Sequence, residues 1–386
     1  MKTSLLGNPH SANEPARVSG EIVDSVRAKT LAFLGADPRH FDLIFVANAT
    51  AGIKLVADCF RDLAEKSRAR SFWYGYHRDS HTSLVGVREL TNGMHKCFET
   101  DAEVDDWLES PHETPLGRHH PSRLGLFAYP GQSNLNGRRL PLNWMRDLRR
   151  SHHLQNTYSL FDAAALAMTS PMSRVFEDPL GAPDFTAVSF YKIFGFPDLG
   201  GLVVRKDSGH ILSLRKYFGG GTVTMVSAIG SAWHKSKGLE TKMDDVEGHG
   251  RTTHKYEIHD GVEDGTLPFH NILALGEAID VHQNLYGSME NVAQHTGQLA
   301  RRLYLSMKSL KHINGQPLCR MYNDDRDAFG DPRRQGATVA FNVLRPNGTY
   351  VPYSDVEKMA NEQSIYVRSG GRPPSLPSHI CAFTHN

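Results

Sequence analysis

FDLIFVANATAGIKLVADCFRDL (residues 41–63) joins a short apolar run to an amphipathic pattern through a turn of small and hydroxylic residues. Residues 41–48 have the length and apolar character of a buried strand, and apolar side chains recur at helical spacing over residues 50–63. A strand that leads directly into a helix is the repeating unit of a mostly parallel sheet with helices on both faces. This stretch therefore predicts an α/β fold.

The same rhythm continues towards the C-terminus. Apolar runs predict four further strands, at residues 124–129, 158–161, 185–189 and 200–204. An Arg-rich run predicts a helix at residues 140–151. Residues 217–264 are rich in Gly, His and Lys without clear periodicity, so we expect a surface excursion or an active-site cover there. The pattern then changes to a long helical stretch, a strand and a helix at residues 271–310, 338–343 and 354–362. The sequence thus predicts a large domain over residues 1–270 and a smaller α+β C-terminal domain over residues 271–386.

The charge balance and the cysteines restrict the class of partner and compartment. Lys and Arg total 43 against 42 Asp and Glu, so no overall field would attract nucleic acid or an anionic membrane. No apolar run approaches the roughly 18–20 residues that span a bilayer, and residues 1–8 lack the apolar segment of a signal peptide. None of the four cysteines forms a CxxC pair, which is typical of a reducing compartment. We therefore expect a cytoplasmic protein with no nucleic-acid or membrane partner.

Polar residues that follow the predicted strands are the first place to look for a site, because ligands of open α/β sheets bind at the carboxyl ends of the strands. The turn at residues 48–52 contains Ala49 and Thr50. Small residues before a helix leave backbone N–H groups free, which is suitable for a phosphate. The alternative is that Thr50 is an ordinary helix N-cap.

A histidine lies between the first two predicted strands. The ring of His81 could stack on a heteroaromatic group. The alternative is a metal site, because His77 and His81 are four residues apart. That alternative is weaker, since no glutamate lies beside them and no third ligand is near in the sequence.

Two further polar residues follow predicted strands. The amide of Asn134 could donate a hydrogen bond to a phenolate oxygen. Asp162 ends the strand predicted at residues 158–161, and a buried carboxylate needs a partner, such as a protonated pyridine nitrogen. The alternative for Asp162 is a helix N-cap.

The segment SFYKIFG (residues 189–195) places Lys192 among aromatic and apolar neighbours just after a predicted strand. Lysine is rarely buried without a role, and removal from water favours the neutral amine that forms Schiff bases. Glycines at 219–221 and the EDGT segment at 263–266 supply further small or hydroxylic groups that could reach a phosphate. Each of these patterns is weak alone, but together they predict one kind of site.

In this order the segments resemble class V aminotransferases, and most closely the cysteine-desulfurase-like branch that includes the molybdenum cofactor sulfurases. The resemblance covers about residues 6 to 371, and SFYKIFG is the segment most specific for the sulfurase branch. The similar segments are LGNPHS (6–11), FVANATAGIK (45–54), DSHTSLV (79–85), SN (133–134), FDAAA (161–165), SFYKIFG (189–195), YFGGGT (217–222), EDGT (263–266) and RSG (368–370).

The resemblance implies a pyridoxal-phosphate (PLP)-dependent transferase fold of type I, class V, with PLP as cofactor and L-cysteine or a related amino acid as substrate. It implies that Lys192 forms the Schiff base and later moves the substrate α-proton. It also implies that His81 stacks on the cofactor ring, that Asp162 pairs with the ring nitrogen and that Asn134 contacts the phenolate oxygen. Thr50 and Ser189 would hold the phosphate, with Ala49 also in the cofactor site, and Arg368 would bind the substrate carboxylate. Gly265 and Thr266 would help to bind the phosphate of a second subunit, which implies a homodimer.

The sequence departs from this family after Arg368. Family members carry a cysteine a few residues beyond the Arg-Ser-Gly motif, but Pro373 occupies about that place here, and Cys381 lies further on. Without that thiolate, three alternatives stay open: a sulfurtransferase in which another thiol takes over, a C–S lyase, and a non-catalytic PLP-binding protein. The chain is also expected to be shortened at both ends relative to the family. A nucleotide-binding oxidoreductase is disfavoured, because no GxGxxG follows the first strand.

Overall fold

A computed structural model describes the fold over residues 5–11, 13–66, 70–111, 123–230, 233–237, 257–323 and 328–368. The helices are α1 Glu14–Leu34, α2 Ala49–Ala64, α3 Thr82–Val85, α4 Asp101–Glu109, α5 Asn143–Arg150, α6 Ser173–Phe176, α7 Phe190–Phe194, α8 His210–Ser213, α9 Phe269–Tyr286, α10 Met289–Ser309 and α11 Tyr353–Glu362. The strands are β1 Phe41–Val46, β2 Trp73–His77, β3 His95–Phe98, β4 Gly125–Pro130, β5 Thr157–Asp162, β6 Phe185–Ser189, β7 Gly200–Arg205, β8 Val223–Val226, β9 His234–Ser236, β10 Cys319–Met321 and β11 Phe341–Val343.

Seven strands form the central sheet in the order β1-β7-β6-β5-β4-β2-β3. The strands from β6 to β3 pair in parallel, whereas β7 is antiparallel to both β6 and β1. Because β7 opposes both of its neighbours, β1 points in the same direction as β6. The mostly parallel sheet predicted from the sequence is confirmed, and the carboxyl ends of β1, β2, β4, β5 and β6 lie along one edge.

Each face of the sheet packs against its own layer of helices. Within β1, Leu43 and Phe45 belong to one hydrophobic core and Ile44 to the other, as the alternation of strand side chains requires. The first core includes side chains of α1, α4, α5 and α9, and the second includes side chains of α2, α3 and α8. The result is a sheet between two helical layers, which accounts for the apolar runs of its strands.

Helix α2 begins one residue before the predicted position. Its N-cap is Asn48, whose side chain accepts a hydrogen bond from the N–H of Ala51. The interpretation of Thr50 as the N-cap is therefore wrong, because Thr50 already lies in the first turn of the helix. The inner face of α2, which includes Ile53, Val56 and Phe60, packs in the second core.

The C-terminal part of the chain has a small core of its own, formed by residues of α10, β10 and the segment that follows. Hydrogen bonds join it to the loop after β4, including one from the Arg139 guanidinium group to the carbonyl of Pro332. Arg139 N donates to the carbonyl of Arg334 at 2.9 Å, Gly336 N to Gly137 at 2.8 Å, and the Gln335 amide to Asn136 at 2.7 Å. The division at residue 270 stays a prediction.

The outer edge of β1 is covered by side chains. Glu263 accepts the backbone N–H of Phe45 at 2.6 Å and pairs with Arg27 at 2.7 Å, and Arg27 also donates to the carbonyl of Leu43. Further along the same strand, Asp42 accepts both the backbone N–H and the ring Nδ1 of His259 at 2.9 Å. These groups satisfy backbone positions that a neighbouring strand would otherwise occupy.

The Arg27–Glu263 pair gives a first prediction. Glu263→Gln is expected to destabilise the fold by roughly 3 kcal/mol, because Arg27 would keep a buried charge without an ionised partner. Both side chains are at most 7% exposed. The measurement is urea denaturation, with Glu21→Gln as control, since Glu21 pairs with Arg17 in an exposed position where little change is expected. Equal midpoints for Glu263→Gln and the wild type would contradict this prediction.

Among the described residues, no helix combines the length and the apolar character that a transmembrane span requires.

Candidate functional site

The carboxyl ends of the parallel strands bring the predicted site residues to one edge of the sheet. Asp162 ends β5 and Ser189 ends β6, and Lys192 lies in α7, which follows β6 directly. His81 follows β2, and Ala49 is the first residue of α2. Positions far apart in the sequence therefore meet where open α/β sheets bind their ligands.

Helix α7 is a single turn that carries Lys192. Phe190, at its start, is fully buried and fixes the turn against the sheet. Gly195 ends it with a φ of 81° and donates its N–H to the carbonyl of Tyr191 at 2.8 Å. This positive φ is one that glycine adopts readily and other residues rarely do. Lys192 is half-buried, so it is less enclosed than the sequence suggested. Phe190 and Gly195 flank it and hold its backbone in the turn that follows β6.

Asp162 is 6% exposed and accepts a hydrogen bond from the N–H of Ala164 at 3.0 Å. Burial raises the pKa of this carboxyl group, although the Ala164 hydrogen bond and the nearby Lys192 and His81 act in the opposite direction. Its side chain caps no helix, because the short 3-10 turn that follows begins at Leu166. A cationic partner would therefore offset a desolvation cost that these residues leave uncompensated.

His81 forms part of a hydroxyl network at the start of α3. Its Nδ1 accepts the backbone N–H of Ser83 at 3.2 Å and lies 2.8 Å from the Ser83 hydroxyl. That hydroxyl lies 2.7 Å from the hydroxyl of Thr50. Since Nδ1 is an acceptor, the neutral ring carries its proton on Nε2. The predicted ring-stacking residue and a predicted phosphate-binding residue are thus joined through Ser83.

Charged groups surround His81. Burial lowers the pKa of its imidazole, and Lys192 and Arg368 lower it further, whereas Asp162 raises it. The neutral ring is favoured, which suits stacking on a flat heteroaromatic group. These interactions also show that Arg368, the predicted substrate-binding residue, lies within electrostatic reach of the group, although Arg368 itself is exposed.

The turn between β1 and α2 has the features of an anion site. The N–H of Ala49 donates to the Ser189 hydroxyl at 3.2 Å, which brings the two predicted cofactor-binding residues together. A Cβ at Gly200 would lie 2.6 Å from the backbone of Asn48, so only glycine permits β7 to approach this turn. The dipole of the sixteen-residue helix α2 favours an anion at this N-terminus.

Asn134 lies in a tight turn after β4. The N–H of Ser133 donates to the carbonyl of Arg138 at 2.7 Å, and that of Gly137 donates to Ser133 at 3.0 Å. These two hydrogen bonds close the turn around the half-buried Asn134, at the same edge of the sheet as Asp162.

Gly265 and Thr266 belong to a second group of residues. Gly265 donates its N–H to the carbonyl of Gly220 at 2.7 Å, and its own carbonyl lies 3.0 Å from His10 Nε2. The Thr266 hydroxyl accepts from the amide of Asn8 at 3.1 Å. Three of the segments quoted for the family resemblance thus meet here, and the role of Gly265 and Thr266 in a second subunit stays a prediction.

The histidine spacing that suggested a metal site does not correspond to one helix face. His77 ends β2, whereas His81 is the N-cap of α3. His77 Nε2 lies 3.2 Å from Asp101, and its Nδ1 accepts the N–H of Asp79 at 3.1 Å. Among the described residues, no group of three His, Cys, Asp or Glu side chains could hold a metal ion.

The fold and the site define the class of protein. Residues 2–381 match the aminotransferase class V family, and the chain belongs to that family. The chain is 48% identical over 370 residues to a molybdenum cofactor sulfurase of Aspergillus niger, in a match that covers 96% of this chain and 41% of that protein. The chain therefore spans about two fifths of the length of this curated relative. The family resemblance predicted from the sequence is confirmed.

Solved structures agree with this fold. The cysteine desulfurase CsdA of Escherichia coli has a TM-score of 0.65 at 18% identity, covering 94% of this chain and 77% of that chain. The cystine C-S lyase C-DES, solved with its product cysteine persulfide, has a TM-score of 0.64 at 16% identity, covering 94% and 82%. The predicted class V PLP-dependent transferase fold is thus confirmed. The family, together with a C-DES structure that carries glycine linked to PLP, indicates pyridoxal 5'-phosphate as the cofactor.

The site fits this cofactor on structural grounds of its own. The helix N-terminus at Ala49 and the Ser189 hydroxyl suit a phosphate. The buried Asp162 suits a protonated ring nitrogen, and Lys192 supplies an amine beside it. When bound, the cofactor supplies a sink for electrons released at a substrate carbon, while the protein orients the groups.

Proposed function

We propose that this chain is a PLP-dependent sulfurtransferase of the cysteine desulfurase type, related to molybdenum cofactor sulfurase. Its substrate would be L-cysteine or a related amino acid. The observation that supports this most directly is the meeting of Asp162, Lys192 and His81 within electrostatic reach of one another at the carboxyl edge of a class V fold.

Each residue of the site has a separate role in the proposed reaction. Lys192 would hold the cofactor through its amine. Once the amino group of the substrate has displaced it, the freed Lys192 amine would be placed to take the α-proton of the substrate. Asp162 would keep the ring nitrogen protonated through its negative charge, and His81 would present its flat neutral ring to the pyridine. Asn134 would donate a hydrogen bond to the phenolate oxygen, and Arg368 would bind the substrate carboxylate.

The phosphate is held at the turn before α2. We assign it to the N–H of Ala49 and the hydroxyls of Thr50 and Ser189, with Gly265 and Thr266 contributing to the site of a second subunit. This last assignment implies a homodimer, and light scattering of the purified chain measures the mass of the assembly.

Sulfur transfer also needs a thiolate acceptor. Burial raises the pKa of Cys59 to about 12 and also raises the pKa of Cys97 and Cys319, so all three described thiols are kept protonated. Residues 369–380 contain no cysteine, and Cys381 lies outside the described residues. The acceptor would therefore be Cys381 or a thiol of another molecule.

This distribution of cysteines favours a second candidate function, a C–S lyase. Elimination of sulfide from cysteine requires the lysine and the cofactor but no protein thiolate. Its products are sulfide, ammonia and pyruvate, whereas desulfuration yields alanine and a persulfide.

The test is an incubation of the purified protein with PLP and L-cysteine, in which sulfide, alanine and pyruvate are quantified together. Alanine with protein-bound persulfide supports the sulfurtransferase, and Cys381→Ser identifies the acceptor if that persulfide is lost. Pyruvate with sulfide supports the lyase. A visible cofactor spectrum without either product would overturn both activities and leave a protein that binds PLP without turnover.

A further inference from the structure

Two loops of the site are joined by one arginine. Arg138 closes the turn that carries Asn134, because its carbonyl accepts the N–H of Ser133. Its guanidinium group lies 3.1 Å and 3.3 Å from the carboxylate of Asp79, which precedes His81 by two residues. The same group makes a bidentate pair with Asp101 at 2.6 Å and 2.9 Å.

The contacts of Arg138 form a closed ring. Asp101 lies 3.2 Å from Nε2 of the fully buried His77, and Nδ1 of His77 accepts the backbone N–H of Asp79 at 3.1 Å. His77 thus accepts through Nδ1, and its other ring nitrogen lies next to Asp101. The contacts thus run from His77 at the end of β2 to Asp79, from Asp79 to Arg138, from Arg138 to Asp101, and from Asp101 back to His77.

The opposite charges of Asp101 and Arg138 stabilise this ring of contacts. Burial raises the pKa of Asp101, but hydrogen bonds to His77 and Arg138 outweigh it and hold the pKa well below the usual range. Asp101 is thus ionised at neutral pH, and Arg138 is always charged. Bidentate arginine–carboxylate pairs fix orientation as well as distance.

We infer that Arg138 is a positioning residue, which holds the loop of His81 and the turn of Asn134 at a fixed separation from each other. The inference rests on the proposed function, which places those two side chains against the cofactor. Arg138 acts through Asp79 on the first loop and through its own backbone on the second. It is one of the residues that the sequence patterns did not single out.

The test uses the full chain with three substitutions and one control. Arg138→Gln removes the charge, Arg138→Lys keeps a charge but loses the fork of donors, and Asp79→Asn weakens only the connection to the His81 loop. The control is Arg149→Gln, because Arg149 is 34% exposed against 32% for Arg138 and pairs with Asp184 at 2.8 Å, away from both loops.

The first readout is the affinity for PLP, measured by titration of its absorbance. Loss of a group that supports a metal ligand typically costs about tenfold in affinity or more. By the same reasoning we expect a decrease of about tenfold for Arg138→Gln. Arg138→Lys is expected to bind PLP more weakly than the wild type as well, since an ammonium cannot make the bidentate pair. Arg149→Gln is expected to bind PLP like the wild type.

The second readout needs no cofactor. The pKa of His81, followed by NMR titration of the imidazole and assigned with His81→Asn, is lowered in the folded chain by burial and by Lys192 and Arg368, against Asp162. If Arg138 holds this loop, then in Arg138→Gln the pKa should rise towards the ordinary value of about 6.5. A merely structural role for Arg138 would leave this value unchanged in a folded variant.

The outcomes separate the inference from the proposed function. An unchanged PLP affinity with an unchanged His81 pKa in folded Arg138→Gln overturns the inference, as does an equal loss of affinity in Arg149→Gln. If Arg138→Gln does not fold, the same two readouts decide the matter in Asp79→Asn, which keeps the Arg138–Asp101 pair. If the wild type itself binds no PLP, the proposed function fails, and the His81 titration alone decides whether Arg138 positions the loop.

Discussion

Lys192→Ala is expected to abolish covalent attachment of PLP and to lower turnover of L-cysteine by at least roughly 10²–10⁴-fold, the usual contribution of a positioned general base. The amine has two roles in the proposed reaction, and alanine can perform neither. The protein should still fold, because Lys192 is half-buried on a one-turn helix that Phe190 anchors. The measurement is the visible absorption of bound cofactor, together with mass spectrometry after borohydride reduction to locate the modified peptide.

Lys206→Ala is the matched control for this experiment. Lys206 is also half-buried, but it follows β7, whose direction is opposite to that of the parallel strands, so it lies at the far edge of the sheet. It pairs with Glu257 at 3.0 Å. An unchanged absorption band in Lys192→Ala would falsify the assignment of this residue, and loss of the band in Lys206→Ala would show that the readout reports general damage.

Asp162→Asn is expected to lower turnover by roughly 10³-fold, a size comparable to the loss of one preorganised electrostatic contact in an active site. Asparagine keeps the shape and can still accept the N–H of Ala164, but it cannot hold a proton on the ring nitrogen by charge. Comparison of kcat with the affinity for PLP separates the two effects, since the rate should fall further than the affinity.

The same substitution is expected to stabilise the cofactor-free protein. Burial raises the pKa of Asp162 in the fold, so the unfolded chain loses this proton at a lower pH than the folded chain does. Below the ordinary aspartate pKa of about 3.9 both states are neutral and the two proteins should be similar. As the pH rises above that value, ionisation favours the unfolded wild type, and Asp162→Asn should become the more stable protein.

Thermal unfolding at several pH values measures this difference, and Asp184→Asn provides the contrast. Asp184 is as buried as Asp162, but it accepts hydrogen bonds from Ser159 and Ser208 and pairs with Arg149, so its replacement should destabilise the fold. Addition of PLP should make the wild type more stable than Asp162→Asn, because the wild type binds the cofactor more tightly and gains more stability from it. A cofactor-free Asp162→Asn protein that melts below the wild type at neutral pH would contradict the prediction.

The parts of the fold that could be predicted are those in which burial and pattern coincide. The strand and helix of residues 41–63 were predictable because their inner faces are almost wholly apolar. Helix α1 was not predicted, although it is 21 residues long, because Ser19, Arg27 and Thr30 lie on its buried face and interrupt the apolar spacing. Their partners, such as Glu263, are too distant in the sequence to be recognised from it.

The residues of the candidate site could likewise be predicted only in part. Asp162 and Lys192 follow strands, so the rule for open sheets was enough to select them. Arg138 could not be selected, because its side-chain partners Asp79 and Asp101 lie 59 and 37 positions away and no local pattern connects them. Residues that bind a ligand can be recognised in the sequence because they directly follow strands. Residues that position them can be recognised only from contacts in the folded structure.

The covering of β1 has a consequence for the behaviour of the folded chain at high concentration. An outermost strand with free N–H and carbonyl groups is a template on which a strand of another molecule can add. Here Glu263 already accepts the N–H of Phe45, and Arg27 already donates to the carbonyl of Leu43. These contacts leave fewer free groups for a strand of another molecule to pair with, so the Arg27–Glu263 ion pair also protects the folded chain against edge-to-edge association.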